Sequence, residues 1–142
     1  MLKLSAKVHY ACLAMMDLAQ AYERKSPRKI AQIAETENIP SKYLTQILLQ
    51  LKSARLVSSS RGADGGYQLA RRPSAITLAD VVDATDGSGG GHEPGGTASG
   101  ASGEVLESAF GRARRAHRHQ LASVTLQTLI DEMHRQGQMY HI

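Results

Sequence analysis

The stretch SKYLTQILLQLKSARLVSSSRGADGGYQLAR, residues 41–71, decides the fold. Its first half carries apolar residues every three or four positions, at Leu44, Ile47, Leu48 and Leu51. That spacing predicts a helix with one buried face and one polar face. Residues 56–60 and 67–69 are predicted to be short strands, because the intervening RGADGG is rich in residues that tolerate a tight turn. The stretch therefore predicts a helix followed directly by a β-hairpin.

A second short helix is predicted just upstream, within RKIAQIAETENI. Ser26 is its predicted N-cap, and Pro27 lies in its predicted first turn. Its inward-facing residues are predicted to be Ile30, Ala31, Ile33 and Ala34. A tight turn at residues 37–39 separates it from the next helix, which begins at Pro40 or Ser41. Two short helices joined by a tight turn are typical of a helix-turn-helix, and the hairpin that follows is its wing.

Helical patterns flank this central part of the chain on both sides. Ser5 is the predicted N-cap of a first helix. Its apolar stripe is Val8, Ala11, Cys12, Met15, Leu18, Ala19 and Tyr22. Thr77 is the predicted cap of a short helix after the wing, with apolar contacts from Ile76, Leu78, Val81 and Val82. We therefore predict a mainly α fold with a small β-hairpin, in which residues 1–86 form a winged helix-turn-helix domain.

A glycine-rich segment, residues 87–103, separates that domain from two further predicted helices. Glycine fills eight of its 17 positions, so we expect the segment to be mobile. The helix from Glu104 to about His119 has its predicted apolar side at Leu106, Ala109, Phe110, Ala113 and Leu121. The last helix is predicted to turn Leu126, Leu129, Ile130 and Met133 inward. Residues 104–142 are thus predicted to form a C-terminal helical unit.

Composition and charge narrow the class of partner. The 142 residues include 17 Lys or Arg and 13 Asp or Glu, a net charge of +4. Between residues 24 and 72 there are ten Lys or Arg and three Asp or Glu, so that segment carries +7. Concentrated positive charge suggests a polyanionic partner. No apolar run approaches the length of about 18 residues that a membrane helix needs, so we expect a cytoplasmic protein without a membrane span.

Cysteine content and catalytic patterns exclude several classes of protein. Cys12 is the only cysteine. This excludes an internal disulfide framework and any metal site built only from the cysteines of one chain. The sequence offers no nucleophile with a matching base, no paired carboxylates and no phosphate-binding glycine motif between a strand and a helix. We therefore expect no enzymatic activity.

Several motifs together resemble those of a known family. They are SAKVHYA at residues 5–11, YLTQI at residues 43–47, RGADGGYQLAR at residues 61–71 and ITLADVVDATDG at residues 76–87. The chain is similar here to the IscR/NsrR-type family of bacterial winged helix-turn-helix transcription regulators. The resemblance implies a homodimer, paired through the helix from Glu104, that binds double-stranded DNA and acts as a repressor. Its two-fold symmetry would require a palindromic operator.

The resemblance places the DNA contacts on the helix from Ser41 and on the wing. The candidate contact residues are Arg28, Ser41, Lys42, Tyr43, Thr45, Gln46, Arg61, Gly62, Gly66 and Tyr67. Gln46 can read an adenine in the major groove, and Thr45 can contact a thymine methyl. Arg61 can enter a narrow A·T-rich minor groove. Arg28, at the predicted start of the second helix, can meet a phosphate.

Three wing residues have further expected roles. Gly62 and Gly66 let the backbone turn and approach phosphate closely. Tyr67 has two open roles, because it can pack the base of the wing and can also offer its hydroxyl to a phosphate. An alternative for each exposed polar residue taken alone is a solvated face without a DNA contact.

The resemblance also raises the question of a cofactor. Cluster-bearing relatives place three cysteines in the segment that corresponds to residues 87–103, because thiolates are the usual ligands of iron–sulfur clusters. That segment contains no cysteine here, so we expect no cofactor and no metal. Either the chain belongs to a cluster-free branch or the cysteines have been replaced, and the sequence is compatible with both.

Two alternative functions stay open at this point. A metal- or cluster-dependent sensor could use non-cysteine ligands, with His9, Cys12 and His92 meeting across a dimer. The competing interpretation makes His9 a surface residue, Cys12 a core thiol and His92 a solvated loop residue. Cys12 is also the only thiol that a redox switch could use. The other alternative is a winged-helix protein-interaction module, and the sequence does not identify an effector or partner protein.

Overall fold

The computed structural model describes residues 4–86 and 100–140. Its elements are α1 (Ala6–Ala21), α2 (Ile30–Glu37), α3 (Ser41–Ser53), β1 (Val57–Ser60), β2 (Gly66–Leu69), a 3-10 turn (Pro73–Ala75), α4 (Leu78–Thr85), α5 (Ala101–Ala122) and α6 (Leu126–Tyr140). The predicted fold class, mainly helical with a small hairpin, is confirmed. The mobility expected for the glycine-rich segment concerns mainly residues 87–99, which lie outside the described residues.

The core lies where α1, α3 and α4 meet. Ser5 caps α1 as predicted, because its Oγ accepts a hydrogen bond from the Val8 N–H at 3.2 Å. The predicted apolar face of α3 is also confirmed. All four of its residues are buried: Leu44, Ile47, Leu48 and Leu51. Apolar side chains repeating at helical spacing have thus brought both helices onto one core.

The start of α2 differs from the prediction. Ser26 and Pro27 do not begin the helix, which starts at Ile30 behind an extended Lys29. The Lys29 N–H is satisfied by Gln32 Oε1 at 2.8 Å. The physical reason is a long-range contact, since the preceding residue, Arg28, pairs its backbone with the wing. A backbone held in an extended bridge cannot at the same time form the first helical turn.

The turn between α2 and α3 is as predicted. Asn38 adopts a left-handed conformation with φ 56°, a geometry that asparagine tolerates better than most residues. Ile39 is buried directly after it, and Pro40 is the N-cap of α3. The turn of the helix-turn-helix is therefore formed by residues whose types indicate, in the local sequence, where α2 ends and α3 begins.

The wing is an antiparallel hairpin in which Val57 pairs with Leu69 and Ser60 pairs with Gly66. The Ala70 N–H also donates to the Leu56 carbonyl at 3.0 Å, so pairing extends to the first residue of the predicted strand. Val57 and Leu69 are buried at the base of the hairpin, whereas Ser59 and Ser60 are exposed. The predicted hairpin is therefore confirmed.

The last two helices are tied back to the domain near the start of α4. Thr77 caps α4 as predicted, in a reciprocal pair in which the Asp80 N–H donates to Thr77 Oγ1 and the Thr77 N–H donates to Asp80 Oδ2. The Leu126 N–H donates to the Ile76 carbonyl at 3.0 Å. These bonds place α6 against α1.

Only part of α6 faces the core. Leu126 and Ile130 are buried, and Leu129 is half-buried. Met133 is 43% exposed, so the prediction that it turns inward is wrong for the single chain. The buried contacts of α6 are made by its first turns, and Met133 lies beyond them.

Helix α5 is the most exposed element among the described residues. It begins at Ala101, so residues 101–103, predicted to belong to the glycine-rich segment, form its first turn instead. It contains no buried residue. Val105, Leu106 and Phe110 are 67%, 57% and 59% exposed. Its attachment to the domain includes a bidentate contact, since Arg118 donates to both carboxylate oxygens of Asp83, at 2.6 Å for Nη2 to Oδ2. Across residues 4–86 and 100–140, no helix is both long and apolar enough to cross a bilayer.

Candidate nucleic-acid interface

The outer face of α3 carries the polar residues that the sequence singled out. Ser41, Lys42, Tyr43, Thr45 and Gln46 are all exposed. They are exposed because the apolar residues of the same helix occupy the opposite face and are buried. The first turns of α3 therefore present side chains for recognition on a helix whose back is fixed in the core.

Three of these side chains contact neighbouring residues. The Thr45 hydroxyl donates to the Ser41 carbonyl at 3.1 Å, which satisfies its hydrogen-bonding group within the helix. Tyr43 stacks on Tyr10 of α1 with ring centroids 6.4 Å apart. The Lys42 ammonium lies 5.3 Å from the Tyr43 ring centroid, a cation–π distance. The Tyr10 contact was not predicted, because α1 and α3 meet only in the folded chain.

The wing tip presents Arg61 and Gly62, both exposed. Among the described residues, Arg61 has no side-chain hydrogen bond or ion pair. Gly62 has φ 101°, a conformation that residues with a Cβ rarely adopt. Arg61 therefore extends from a turn that glycine makes possible, with its guanidinium available for a ligand.

The base of the wing holds the other candidate wing residues. Tyr67 is half-buried and packs against the core cluster. Its backbone bridges to Arg28. Gly66 lies so close to the same segment that an added Cβ would be 2.6 Å from the Arg28 carbonyl oxygen. The packing role of Tyr67 is thus realised, and these two residues fix the wing onto the helical body.

Arg28 has a partner that sequence reasoning missed. Its Nε donates to Asp17 Oδ1 at 2.9 Å, and its Nη2 donates to Asp17 Oδ2 at 3.1 Å. Nη2 also donates to Thr36 Oγ1 at 3.1 Å. The Asp17 side chain is only 4% exposed. The one available signal was an acidic residue inside the apolar stripe AMMDLA, which calls for a buried cation.

This ion pair has a clear electrostatic effect on its surroundings. The hydrogen bond to Asp17 raises the pKa of Arg28 above its ordinary value, so the guanidinium stays charged. Burial raises the pKa of the Glu37 carboxyl, and the nearby Asp17 charge raises it further. Arg28 therefore neutralises an acidic cluster inside the domain, instead of standing at a helix start as the sequence suggested.

The candidate metal ligands are not brought together in the part of the chain that the structure describes. His9 is exposed on α1, and Cys12 is half-buried against the core. His92 lies outside the described residues. Over residues 4–86 and 100–140, no group of three or more His, Cys, Asp or Glu side chains is placed to hold a metal ion.

Cys12 is placed as a core thiol. Burial raises the pKa of its thiol from 9.0 to about 11. Because the thiolate is the reactive form, a thiol with this pKa is almost wholly protonated and slow to react at neutral pH. This placement disfavours a redox switch at Cys12.

Comparison with known proteins identifies the family. The sequence profile of Rrf2, described as an iron-dependent transcriptional regulator, matches residues 4–132. The chain belongs to the Rrf2 family. Its matched span contains the helix-turn-helix, the wing and most of the C-terminal helices. Rrf2 proteins are transcriptional regulators and not enzymes, in agreement with the expectation from the sequence.

Individual Rrf2 relatives support the same assignment. The regulator IscR of Vibrio atlanticus is 41% identical over 85 residues, which are 60% of this chain and 49% of that protein. The structure of T. potens IscR matches with a TM-score of 0.77 and 32% identity, over 93% of this chain and 88% of the other. The structure of CymR, the global cysteine regulator of B. subtilis, gives 0.77 and 33%, over 93% and 98%.

The region of sequence similarity spans about half the length of the curated relatives. The solved structures of IscR and CymR match over most of this chain, and they share its winged helix-turn-helix, a fold that binds DNA in transcription regulators. The resemblance inferred from the motifs is therefore confirmed, as is the winged-helix architecture.

The donor set of this Rrf2 chain does not fit the iron–sulfur cofactor of its cluster-bearing relatives. Such a cluster is held by several thiolates, and the sequence contains Cys12 alone. That one thiol lies in α1, half-buried, with a raised pKa. Three-cysteine ligation within one chain is therefore excluded by the sequence itself.

Proposed function

We propose that this Rrf2 protein is a homodimeric, sequence-specific repressor that binds a palindromic operator in the cytoplasm. The observation that carries the proposal is the exposed polar face of α3, fixed from behind by a buried apolar face. An exposed arginine at the wing tip adds a second contact point. Together they provide one element for the major groove and one for the minor groove.

In this proposal the bases are read mainly from α3. Gln46 is exposed and can form two hydrogen bonds with an adenine edge. Thr45 has its hydroxyl engaged by the helix, so its methyl is the group suited to a thymine methyl. Ser41, Lys42 and Tyr43 flank these positions and are suited to phosphates, which position the protein without reading sequence.

The wing supplies the minor-groove contact. Arg61 is suited to a narrow A·T-rich groove, where the negative potential is enhanced. Gly62 keeps the wing tip small, and Gly66 and Tyr67 hold its base. We do not include Arg28 among the proposed DNA contacts, because its guanidinium donates hydrogen bonds to Asp17 and Thr36.

The proposed homodimer rests on the faces of α5. One side of α5 carries most of its half-buried residues, among them Gly103, Glu107, Gly111 and Leu121. A second side carries the exposed apolar residues Val105, Leu106, Ala109, Phe110 and Ala113. An exposed apolar stripe on a long helix is suited to a second copy of itself. Two-fold pairing would present two α3 helices to two half-sites, hence the palindrome.

Selection from a random double-stranded DNA library tests the proposal directly. We expect enrichment of a palindromic sequence, followed by gel-shift binding that weakens steeply as salt is raised. A reporter whose promoter overlaps the selected site should lose expression when the protein is supplied. Absence of any enriched sequence would favour the protein-interaction alternative, and enrichment that requires added iron would favour the sensor alternative.

A further inference from the structure

Arg28 joins three elements of the DNA-binding domain. Its backbone N–H donates to the Tyr67 carbonyl at 2.8 Å, and its carbonyl accepts from the Tyr67 N–H at 2.7 Å. Its guanidinium donates to Asp17 of α1 and Thr36 of α2. One residue therefore holds the wing by its backbone and the helical body by its side chain.

The joint is tightly packed. The Gly66 position leaves no room for a Cβ, which would lie within 2.7 Å of two Arg28 backbone atoms. The Asp17 side chain is 4% exposed and that of Arg28 is 23% exposed. Water therefore screens the pair weakly, and removing one charge would leave the other unpaired in a largely buried place.

Helix α1 connects this joint to the recognition helix. It packs against both α3 and β2, and Asp17 is a buried residue of this helix. A change in how α1 holds Arg28 would therefore move the wing relative to α3. Since the two elements would read neighbouring grooves, their relative position decides whether both can bind at once.

We propose that the Asp17–Arg28 ion pair is the positioning device that makes the wing a specificity element. The inference rests on the proposed function, because it presupposes that α3 and Arg61 contact one operator. Asp17 touches no DNA in this arrangement. It acts by holding Arg28, which holds Tyr67 and thereby orients the wing that carries Arg61.

The variant Asp17→Asn tests the proposal, since it keeps the shape of the side chain and removes its charge. On the operator selected by the wild-type chain, we expect roughly tenfold weaker binding, the equivalent of one good contact. Library selection with the variant should lose base preference at the minor-groove positions and keep it at the α3 positions. A loss of stability alone would weaken binding to all sequences and would not remove the base preference at the minor-groove positions only.

A double variant makes the test sharper. Asp17 and Arg61 lie on different elements, so independent effects should add. If the ion pair acts through the wing, Asp17→Asn combined with Arg61→Ala should bind no more weakly than Arg61→Ala alone. Additive losses, or wild-type affinity and an unchanged profile for folded Asp17→Asn, would overturn the proposal.

Two further variants control for a loss of stability and for a failure of Asp17→Asn to fold. Thr85→Val removes a buried hydrogen bond in α4, from Thr85 Oγ1 to the Val81 carbonyl, and should keep the full base profile. Arg28→Lys retains the positive charge but cannot form the two parallel hydrogen bonds to Asp17. It takes the place of Asp17→Asn in the test if circular dichroism shows that the Asp17→Asn protein does not fold. If the wild-type chain itself selects no sequence, the proposed function fails. If it selects one, and folded Asp17→Asn and Arg28→Lys bind it with the affinity and base profile of the wild type, only this inference fails.

Discussion

Two arginines near the wing have different tasks because their surroundings differ. Arg61 is exposed at the tip and has no ion pair with the described residues. Arg28 is half-buried and engaged by Asp17 and Thr36. Residue type and local charge made both look like DNA contacts, and burial separates them.

Replacing Arg61 with alanine tests the exposed arginine. We expect the operator affinity to fall by about 1–3 kcal/mol, on the scale of one specific contact. Arg24→Ala is the matched control, since it removes the same charge from an exposed residue in the turn after α1. Gel-shift titration of both variants against wild type is the measurement. Equal affinity for wild type and Arg61→Ala would remove Arg61 from the interface.

The thiol of Cys12 offers a pH test at the same scale. Burial raises its pKa to about 11, so the reactive thiolate should form in the folded chain only at alkaline pH. We expect alkylation by iodoacetamide to be much slower in the native protein than in the unfolded protein at pH 8. The native rate should then climb as the pH approaches the raised pKa.

The same shift has a consequence for stability. An acid whose pKa is higher in the folded state holds its proton more tightly there, so this contribution is present below pH 9.0 and is lost as the pH rises toward about 11. Native alkylation at pH 8 as fast as in the unfolded protein would contradict the buried placement and reopen the redox hypothesis.

Two of the glycines in the wing are required for different reasons. Gly62 has φ 101° and open space around it. Gly66 has φ 148° and the Arg28 backbone directly against it. The first glycine meets only a conformational requirement, whereas the second meets a conformational and a steric one.

Alanine substitutions should separate these two requirements. Gly62→Ala should lower the free energy of unfolding by about 1 kcal/mol through backbone strain alone. Gly66→Ala should cost more, roughly 3 kcal/mol or above, because the clash involves backbone atoms that cannot rotate away. Urea denaturation monitored by circular dichroism measures both. A smaller loss for Gly66→Ala than for Gly62→Ala would contradict the close wing–body contact.

At the scale of the whole molecule, the proposed dimer rests on α5. Phe110→Asp places a charge in the exposed apolar stripe, and we expect it to turn the dimer into a monomer and to weaken operator binding. Sedimentation equilibrium over a concentration series measures the change in association. Ser108→Asp introduces the same charge on another side of the helix, beside Arg112, and should remain dimeric. Equal association of both variants would place the interface elsewhere.

The sequence predicted much of this architecture, and its failures around the wing and α1 come from contacts between distant parts of the chain. The stripes of α1, α3 and α4, the caps at Ser5 and Thr77 and the hairpin are local patterns, so a single sequence reveals them. The start of α2 was misplaced because Arg28 pairs with Tyr67, which is distant in the chain. The partnership of Asp17 and the stacking of Tyr10 arise only once α1 has folded against its neighbours.

If its exposed stripe pairs two copies of the chain, α5 would make the lifetime of the protein depend on its abundance. A chain that leaves Val105, Leu106 and Phe110 uncovered when alone is open to proteases and to nonspecific adhesion until a second copy arrives. If α5 is the dimer interface, dilute chains are removed and concentrated chains are preserved. Occupancy of the operator would then rise more steeply than in proportion to synthesis, so that small changes in expression produce a sharp regulatory threshold.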